Sequence, residues 1–481
     1  MKKLLLSILA MFLCISAFML IACNSDDSTT TGDITTTAPP ENEGFSSKTD
    51  IKTDWPGKTL NIACSTWSAE PGYPWSVLEL CVDYGKESGF GTKIDAAVLE
   101  RQEFIKETYG VDLNWINATR YSMHNALNEA IASGNINYDL ALPRAMRAQS
   151  IVANGSVYDL ANRDYIDFSN YYYNKDSVET YTAKGHTFFV DGDFSTISRE
   201  ILDVLYFNKD LLGGEQAAKD LYQMVRQNKW TFDKLVALAS AVYKDDGDGI
   251  QGDRDIYGLG FHSLTGLYRY SGSAQAGIDK KTGEWKITLK NGREDAIVSA
   301  IINLNNANWC RTVMVSRAFK EGTILFCQDS IQSIGMHVGV NFGVVPFPML
   351  DTEQGRYCAP VNGSAHVLAC IPKNTQDRAM SEYFLDVLSW TGNEYVMKAY
   401  LDTKSEYVSD EDMEMLVDYV FPNIIYDAGE AVDWDSLMGG VLSDSYKGNV
   451  NNFDNAYAEH EPEALETIAK WNTAWGAYTE S

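Results

Sequence analysis

The chain has 481 residues, 45% hydrophobic and 22% charged, a globular balance that excludes wholesale disorder and a polytopic membrane protein. A formal charge of −27 argues against nucleic acid or anionic lipid as a partner of the folded body, since like charges repel. Aromatic residues make up 12%, and their flat faces suit both core packing and the apolar face of a sugar.

The N-terminus sets the compartment. Lys2 and Lys3 precede the apolar run 4–21, which ends Leu20-Ile21-Ala22-Cys23. This layout predicts a signal peptide over 1–22 rather than a permanent span. The ending resembles the lipobox of bacterial lipoproteins. That resemblance implies that Cys23 becomes the mature N-terminus, carries acyl chains and anchors the protein at the extracytoplasmic face of the cell membrane. Residues 24–47 are rich in Thr, Ser, Asp and Pro and bury too little to order, so 23–47 reads as lipidated cysteine plus flexible linker. Six further cysteines (Cys64, Cys81, Cys310, Cys327, Cys358, Cys370) show no CxxC or Cys/His metal spacing. They are expected as buried thiols, although export permits disulfides.

Strand and helix then alternate. Thr59–Thr66 reads as a buried strand, Ala96–Tyr109 as a helix stopped by Gly110, and Val111–Ile116 as a strand. Ser122–Ser133 is helical, Tyr138–Arg144 a strand, and Ala145–Ala153 helical. The pattern restarts with the strand Leu202–Asn208 and helices Glu215–Gln227 and Thr231–Tyr243, the second with Thr231 as N-cap. Strands follow at Tyr257–His262 and Trp285–Leu289, then a helix at Glu294–Asn306. Further strands fall at Phe342–Pro348 and His366–Ile371, and helices at Ala379–Trp390 and Pro462–Trp475. Regular alternation predicts crossover units and a mainly parallel sheet.

Several segments, in order, carry a resemblance. They are Tyr138-Asp-Leu-Ala-Leu, Phe207-Asn-Lys-Asp-Leu211, Trp230-Thr-Phe-Asp-Lys-Leu235, Asp246-Gly-Asp-Gly249 before Tyr257-Gly258, Ala318-Phe-Lys-Glu-Gly322, and Phe342-Gly-Val-Val-Pro346 followed by Ile371-Pro372. Over roughly residues 58–481 the chain resembles the sugar-binding, maltose-binding-protein-like group of extracellular solute-binding proteins of ABC importers. The resemblance implies an α/β, two-lobe periplasmic-binding-protein-like fold (type II) with discontinuous lobes joined by a hinge. Lobe 1 would be 58–197 plus 328–390, and lobe 2 198–327 plus 391–481. It also implies a monomer that captures a carbohydrate, an oligosaccharide above all, and delivers it to the transmembrane subunits of an ABC permease.

Ligands of open α/β sheets sit beyond the carboxyl ends of strands. That rule selects Trp67, Arg144 with Arg147, Asp191 with Asp193, His262 with Tyr268 and Tyr270, and Gln328 with Asp329. Trp434 joins them because the family often places a stacking ring in this C-terminal segment. Rings stack on a pyranose face, and Asp and Arg make charge-assisted hydrogen bonds to hydroxyls. A second candidate is the loop Asp245–Asp255. Read as a calcium loop, it supplies Asp246, Asp248, the Ile250 carbonyl and Asp255 as ligands, with Asp245 replacing the missing first carboxylate. No GxSxG, HExxH or P-loop occurs, so no enzyme is expected and no cofactor is required, the candidate calcium being structural. The alternatives are a secreted carbohydrate-active hydrolase or lyase, or a lipoprotein presenting ligand to a sensor kinase.

Overall fold

The computed structural model describes residues 52–66, 92–119, 123–134, 138–430, 432 and 435–479. The expected signal peptide, Cys23, the linker, Trp67, Cys81 and Trp434 lie outside these residues.

β1 (Thr59–Thr66) pairs in parallel with β2 (Asp112–Thr119), in register from Thr59 opposite Asp112 to Thr66 opposite Thr119, and with β3 (Leu140–Leu142) on its other side. Parallel neighbours need a crossover, and α1 (Thr92–Tyr109) and α2 (Met123–Ser133) lie between these strands in sequence. Gly110, at φ +69°, ends α1 in a left-handed conformation that an L side chain rarely adopts. Residues 366–371 extend this sheet antiparallel to β3, through the bridges Ala141–Cys370 and Arg144–Val367, and Val190 pairs with Ala369 beyond them.

The second sheet holds five strands. They are β4 (Asp203–Asn208), β5 (Tyr257–Gly260), β6 (Cys310–Arg311), β7 (Ile324–Ser330) and β8 (Phe342–Val345), in the order β6-β5-β7-β4-β8. β5, β6 and β7 are parallel, whereas β4 and β8 are antiparallel to their neighbours, so this sheet is mixed rather than mainly parallel. The period of two sorts β4 by face. Val204 and Tyr206 belong to the core shared with the first sheet, and Leu205 and Phe207 to the second core. α3 (Phe232–Val242) packs so close to β5 that a Cβ on Gly258 would meet the Ala239 carbonyl oxygen at 1.9 Å. Thr231 precedes α3 as expected, but its side chain makes no capping hydrogen bond.

α4 (Glu294–Asn306) has the bounds its sequence predicts. β9 (Ala359–Pro360) and β10 (Ile424–Ile425) pair in parallel where the chain runs between the two halves. α5 (Arg378–Thr391) and α6 (Lys398–Ser405) belong with the first half, and Lys93 of α1 pairs with Asp402 of α6 at 2.6 Å. α6 therefore sits with the first sheet, although lobe 2 was expected from 391 on. β8, expected in lobe 1, lies in the second sheet. α7 (Phe453–Gly476) starts well before its expected Pro462, which lies inside it. Its first half packs in the second core through Phe453 and Ala456, and its end in the first through Ile468, Trp471 and Trp475. Cys310, Cys327, Cys358 and Cys370 carry free thiols. None of the described helices is long and apolar enough to cross a membrane.

Candidate functional site

The carboxyl ends of β1 and β3 define one polar edge, on the first sheet. Arg144 leaves β3 and is fully buried. His366, at the same edge, is also buried, and its Nδ1 lies 3.1 Å from the Asn362 carbonyl oxygen. Burial pushes His366 down to about 4; the Asn362 contact works against this and the nearby Arg144 charge adds to it. The imidazole is therefore neutral at neutral pH. Asp191 follows the run ending at Val190 and hydrogen-bonds the Tyr426 hydroxyl through Oδ2. Burial raises Asp191 to about 6, eased by Tyr426, Ser198 and Arg199. Asp193 is held by Arg199 at 2.7 Å and by the Asn393 amide at 2.6 Å.

The second sheet presents its own edge. Gln328 on β7 accepts from the His262 backbone N–H at 2.9 Å and donates to Asp203 at 2.8 Å and to the Tyr270 hydroxyl at 3.0 Å. Tyr270 in turn donates to Asp203 at 2.8 Å, and its ring lies flat on Phe347 with centroids 3.6 Å apart. His262 is exposed and contributes its backbone here.

Two expected residues turn away. Tyr268 sits in the 266–270 helix two positions from Tyr270, and residues so spaced do not share a face. It enters the second core and bonds the Ser445 hydroxyl at 3.1 Å. Asp329 neighbours Gln328 on a strand and so points to the opposite face. There it accepts from Ser330 N–H and the Ser333 hydroxyl, both at 2.8 Å, and lies 3.4 Å from His337. Burial opposes its charge, but His337, Ser316 and Ser333 more than offset this, and its pKa falls below the ordinary value.

The edges meet through residues that sequence reasoning missed. Arg269 of the second half forms a close ion pair with Glu430, whose other oxygen accepts from Gly363 N–H of the 346–365 crossing at 3.3 Å. Burial holds the Glu430 carboxyl above its ordinary range, eased by Arg269. Asp427 accepts from the N–H groups of Gln275 and Gly429, both at 2.8 Å. Asp203 begins a strand rather than ending one, but β4 runs antiparallel to β7, so its start lies at the same edge. A search of carboxyl ends alone passes over it.

The acidic loop stands apart. Asp245, Asp246 and Asp248 hold carboxylate oxygens within 4.8 Å of one another. Arg254 pairs with Asp246 at 2.8 Å and with Asp248 at 3.7 Å. Asp255 is buried and closes the loop instead, accepting from the N–H groups of Asp246 and Gly252, both at 3.0 Å. Ile250 is exposed.

The profile of the bacterial extracellular solute-binding protein family matches residues 101–408. No curated protein sequence matches the chain. Among solved structures, the cyclic α-maltosyl-1,6-maltose binding protein of Arthrobacter globiformis is 13% identical, with a TM-score of 0.55 over 86% of this chain and 99% of that one. The galacto-N-biose/lacto-N-biose I-binding protein of a Bifidobacterium longum ABC transporter, in complex with lacto-N-biose, is 12% identical, with a TM-score of 0.54 over 87% and 99%. An ABC substrate-binding protein of Listeria monocytogenes in complex with cycloalternan is also 12% identical, with a TM-score of 0.51 over 86% and 99%. At such identities the likeness is one of fold, the two-lobed type II arrangement. Since the profile spans more than half of the chain, the protein belongs to the bacterial extracellular solute-binding proteins, a family of binding proteins rather than enzymes.

Proposed function

We propose that the protein captures a carbohydrate, an oligosaccharide, between the facing edges of its two sheets and delivers it to the transmembrane subunits of an ABC permease. The observation that carries this reading is the meeting of both edges at Glu430, which engages Arg269 from one side and Gly363 from the other. Carboxylates and guanidinium groups gathered where two halves meet suit the hydroxyls of a sugar. A ligand that contacts both halves favours their closure about β9 and β10 by its preference for the closed state. Family membership supports the reading, as do three similar folds, two of proteins named for carbohydrate ligands and one solved in complex with cycloalternan. Trp67, directly after β1 in sequence, and Trp434 are the proposed stacking rings, and Cys23 the lipid anchor of a monomer at the extracytoplasmic face of the cell membrane. Calcium is proposed at Asp245, Asp246 and Asp248.

Titration calorimetry against an oligosaccharide panel tests the reading. Binding without product formation is expected, whereas turnover would point to a hydrolase or lyase. Trp67→Ala and Trp434→Ala should each weaken binding by ~1–3 kcal/mol through lost ring contact. Unchanged affinity in both removes them from the site.

A further inference from the structure

The three most exposed large hydrophobic side chains among the described residues are Ile250, Val313 and Met314, at 70%, 64% and 63%. Single exposed apolar residues are ordinary on a protein surface, but these three come from two segments that the fold ties together. Ile250 belongs to the acidic loop before β5, and Val313 and Met314 follow β6, the outer strand of the second sheet. Gln251 Nε2 donates to the Asn308 carbonyl oxygen at 2.8 Å. Arg311 closes the junction: its Nη2 pairs with Asp253 at 2.6 Å, and its Nε donates to the Val313 carbonyl oxygen at 2.8 Å. Met314 stands in the left-handed region at φ +50°, a cost that a side chain left in water does not offset. The charge here is also unlike the rest of the molecule. Across 244–255 and 311–321 five basic side chains stand against six acidic ones, a net −1 in a chain that carries −27.

We propose that this end of the second half is a membrane-docking face, on which Ile250, Val313 and Met314 enter the interfacial layer of a zwitterionic phospholipid bilayer. The near-neutral patch suits such lipid, whereas the charge of the whole chain opposes an anionic surface. Arg317 and Lys320 follow Met314 at three-residue steps on the 315–320 helix, so they share its face, and their long stems reach lipid phosphates while the apolar side chains sink. Three side chains hold a free protein to a bilayer only weakly. The 28 residues between Cys23 and Lys52 extend to roughly 100 Å at ~3.5 Å each, so a body anchored at Cys23 can turn any face to its own membrane. Tethering makes docking intramolecular, and an effective concentration of about a millimolar then suffices for so small a contact. The inference rests on the lipid anchor proposed at Cys23 and is indifferent to what the facing edges bind.

The test holds residues 24–481 on phosphatidylcholine vesicles through an N-terminal hexahistidine tag and nickel-chelating lipid. It therefore does not depend on acylation of Cys23, which mass spectrometry of the exported protein reads separately. Hydroxyl-radical footprinting reports Met314, with Tyr171 of the first half, 43% exposed, as the reference side chain. Labelling of Met314 should fall about tenfold on vesicles relative to the same chain in solution, and that of Tyr171 should not change. Ile250→Ser/Val313→Ser leaves the reporter in place and should return its labelling to the solution level. Both altered side chains are exposed, so the melting temperature should hold. Equal labelling of Met314 in the two states overturns the proposal. So does protection that survives the double variant, protection of Tyr171 to the same degree, or protection confined to phosphatidylglycerol vesicles and lost at high salt.

Discussion

The two facing edges bury polar groups in opposite ways. On the second sheet Asp203, Tyr270, Gln328 and the His262 N–H satisfy one another in a continuous hydrogen-bonded chain. On the first, Arg144, His366 and Asp191 are buried, with His366 pushed down to about 4 and Asp191 up to about 6 by burial. A closed circuit fixes its members and resists change, whereas buried titratable groups with shifted pKa values respond to pH. The second edge is thus a platform, and the first is the side that a ligand or a proton can alter.

The contact between the edges is where a substitution should cost most. Arg269→Met leaves the Glu430 carboxylate buried without its cation, which should destabilise the fold by ~3–5 kcal/mol in urea unfolding. The double variant Arg269→Met/Glu430→Gln should recover much of this, since removing both charges also removes the uncompensated one. If the single variant unfolds like the wild type, the pair does not join the halves.

Next in size is the pH response of the first half. Asp191 and Asp386 both titrate near 6 instead of near 3.8 because burial disfavours their charge, although Asp386 accepts from Tyr172 at 2.8 Å and Tyr173 at 3.1 Å. A raised carboxyl means that the folded state holds its proton more tightly than the unfolded chain. The stabilisation is full below about 3.8 and lost as pH rises through about 6. Each carboxyl should remove on the order of 2–3 kcal/mol across that window. Asp386→Asn should flatten its share in urea titrations at several pH values. An unchanged slope would place the titration elsewhere.

On the second edge, Asp203→Ala should cost ~1–3 kcal/mol by leaving the Tyr270 hydroxyl and the Gln328 amide without their acceptor. Asp203→Asn, which keeps an acceptor oxygen, should cost less. Equal losses in both would mean that charge, not the hydrogen-bonded chain, holds this edge.

Much of this architecture was legible because periodicity and helix stops are local. α4 runs from Glu294 to Asn306 as its spacing predicts, and the strand ends led to Arg144, Asp191 and Gln328, which do lie at the edges. What was hidden depends on partners distant in sequence. The direction of β4 follows from pairing with β7, so Asp203 was not visible as an edge residue. Glu430 and Tyr426 lie in a stretch without regular structure, and only the fold brings them to Arg269 and Asp191. Tyr268 and Asp329 were chosen by proximity along the chain, whereas helix and strand geometry turned them away.

The smallest expected effect belongs to the acidic loop, which shares nothing with either edge. Arg254, whose side chain is 79% exposed, already serves as its cation by pairing with Asp246 and Asp248. Such an exposed pair contributes little, so displacing it costs calcium little. With Asp255 committed to closing the loop, three carboxylates remain as ligands. That is few for a cation that takes 6–8 oxygens, so waters must complete the shell and affinity should be weak. Calcium at about ten times its Kd should add ~1.4 kcal/mol of stability, a rise of a few degrees in Tm. Asp248→Ala should abolish the rise, and Arg254→Ala should bring it on at lower calcium. A melting curve indifferent to both calcium and chelator would leave Arg254 as the only cation the loop employs.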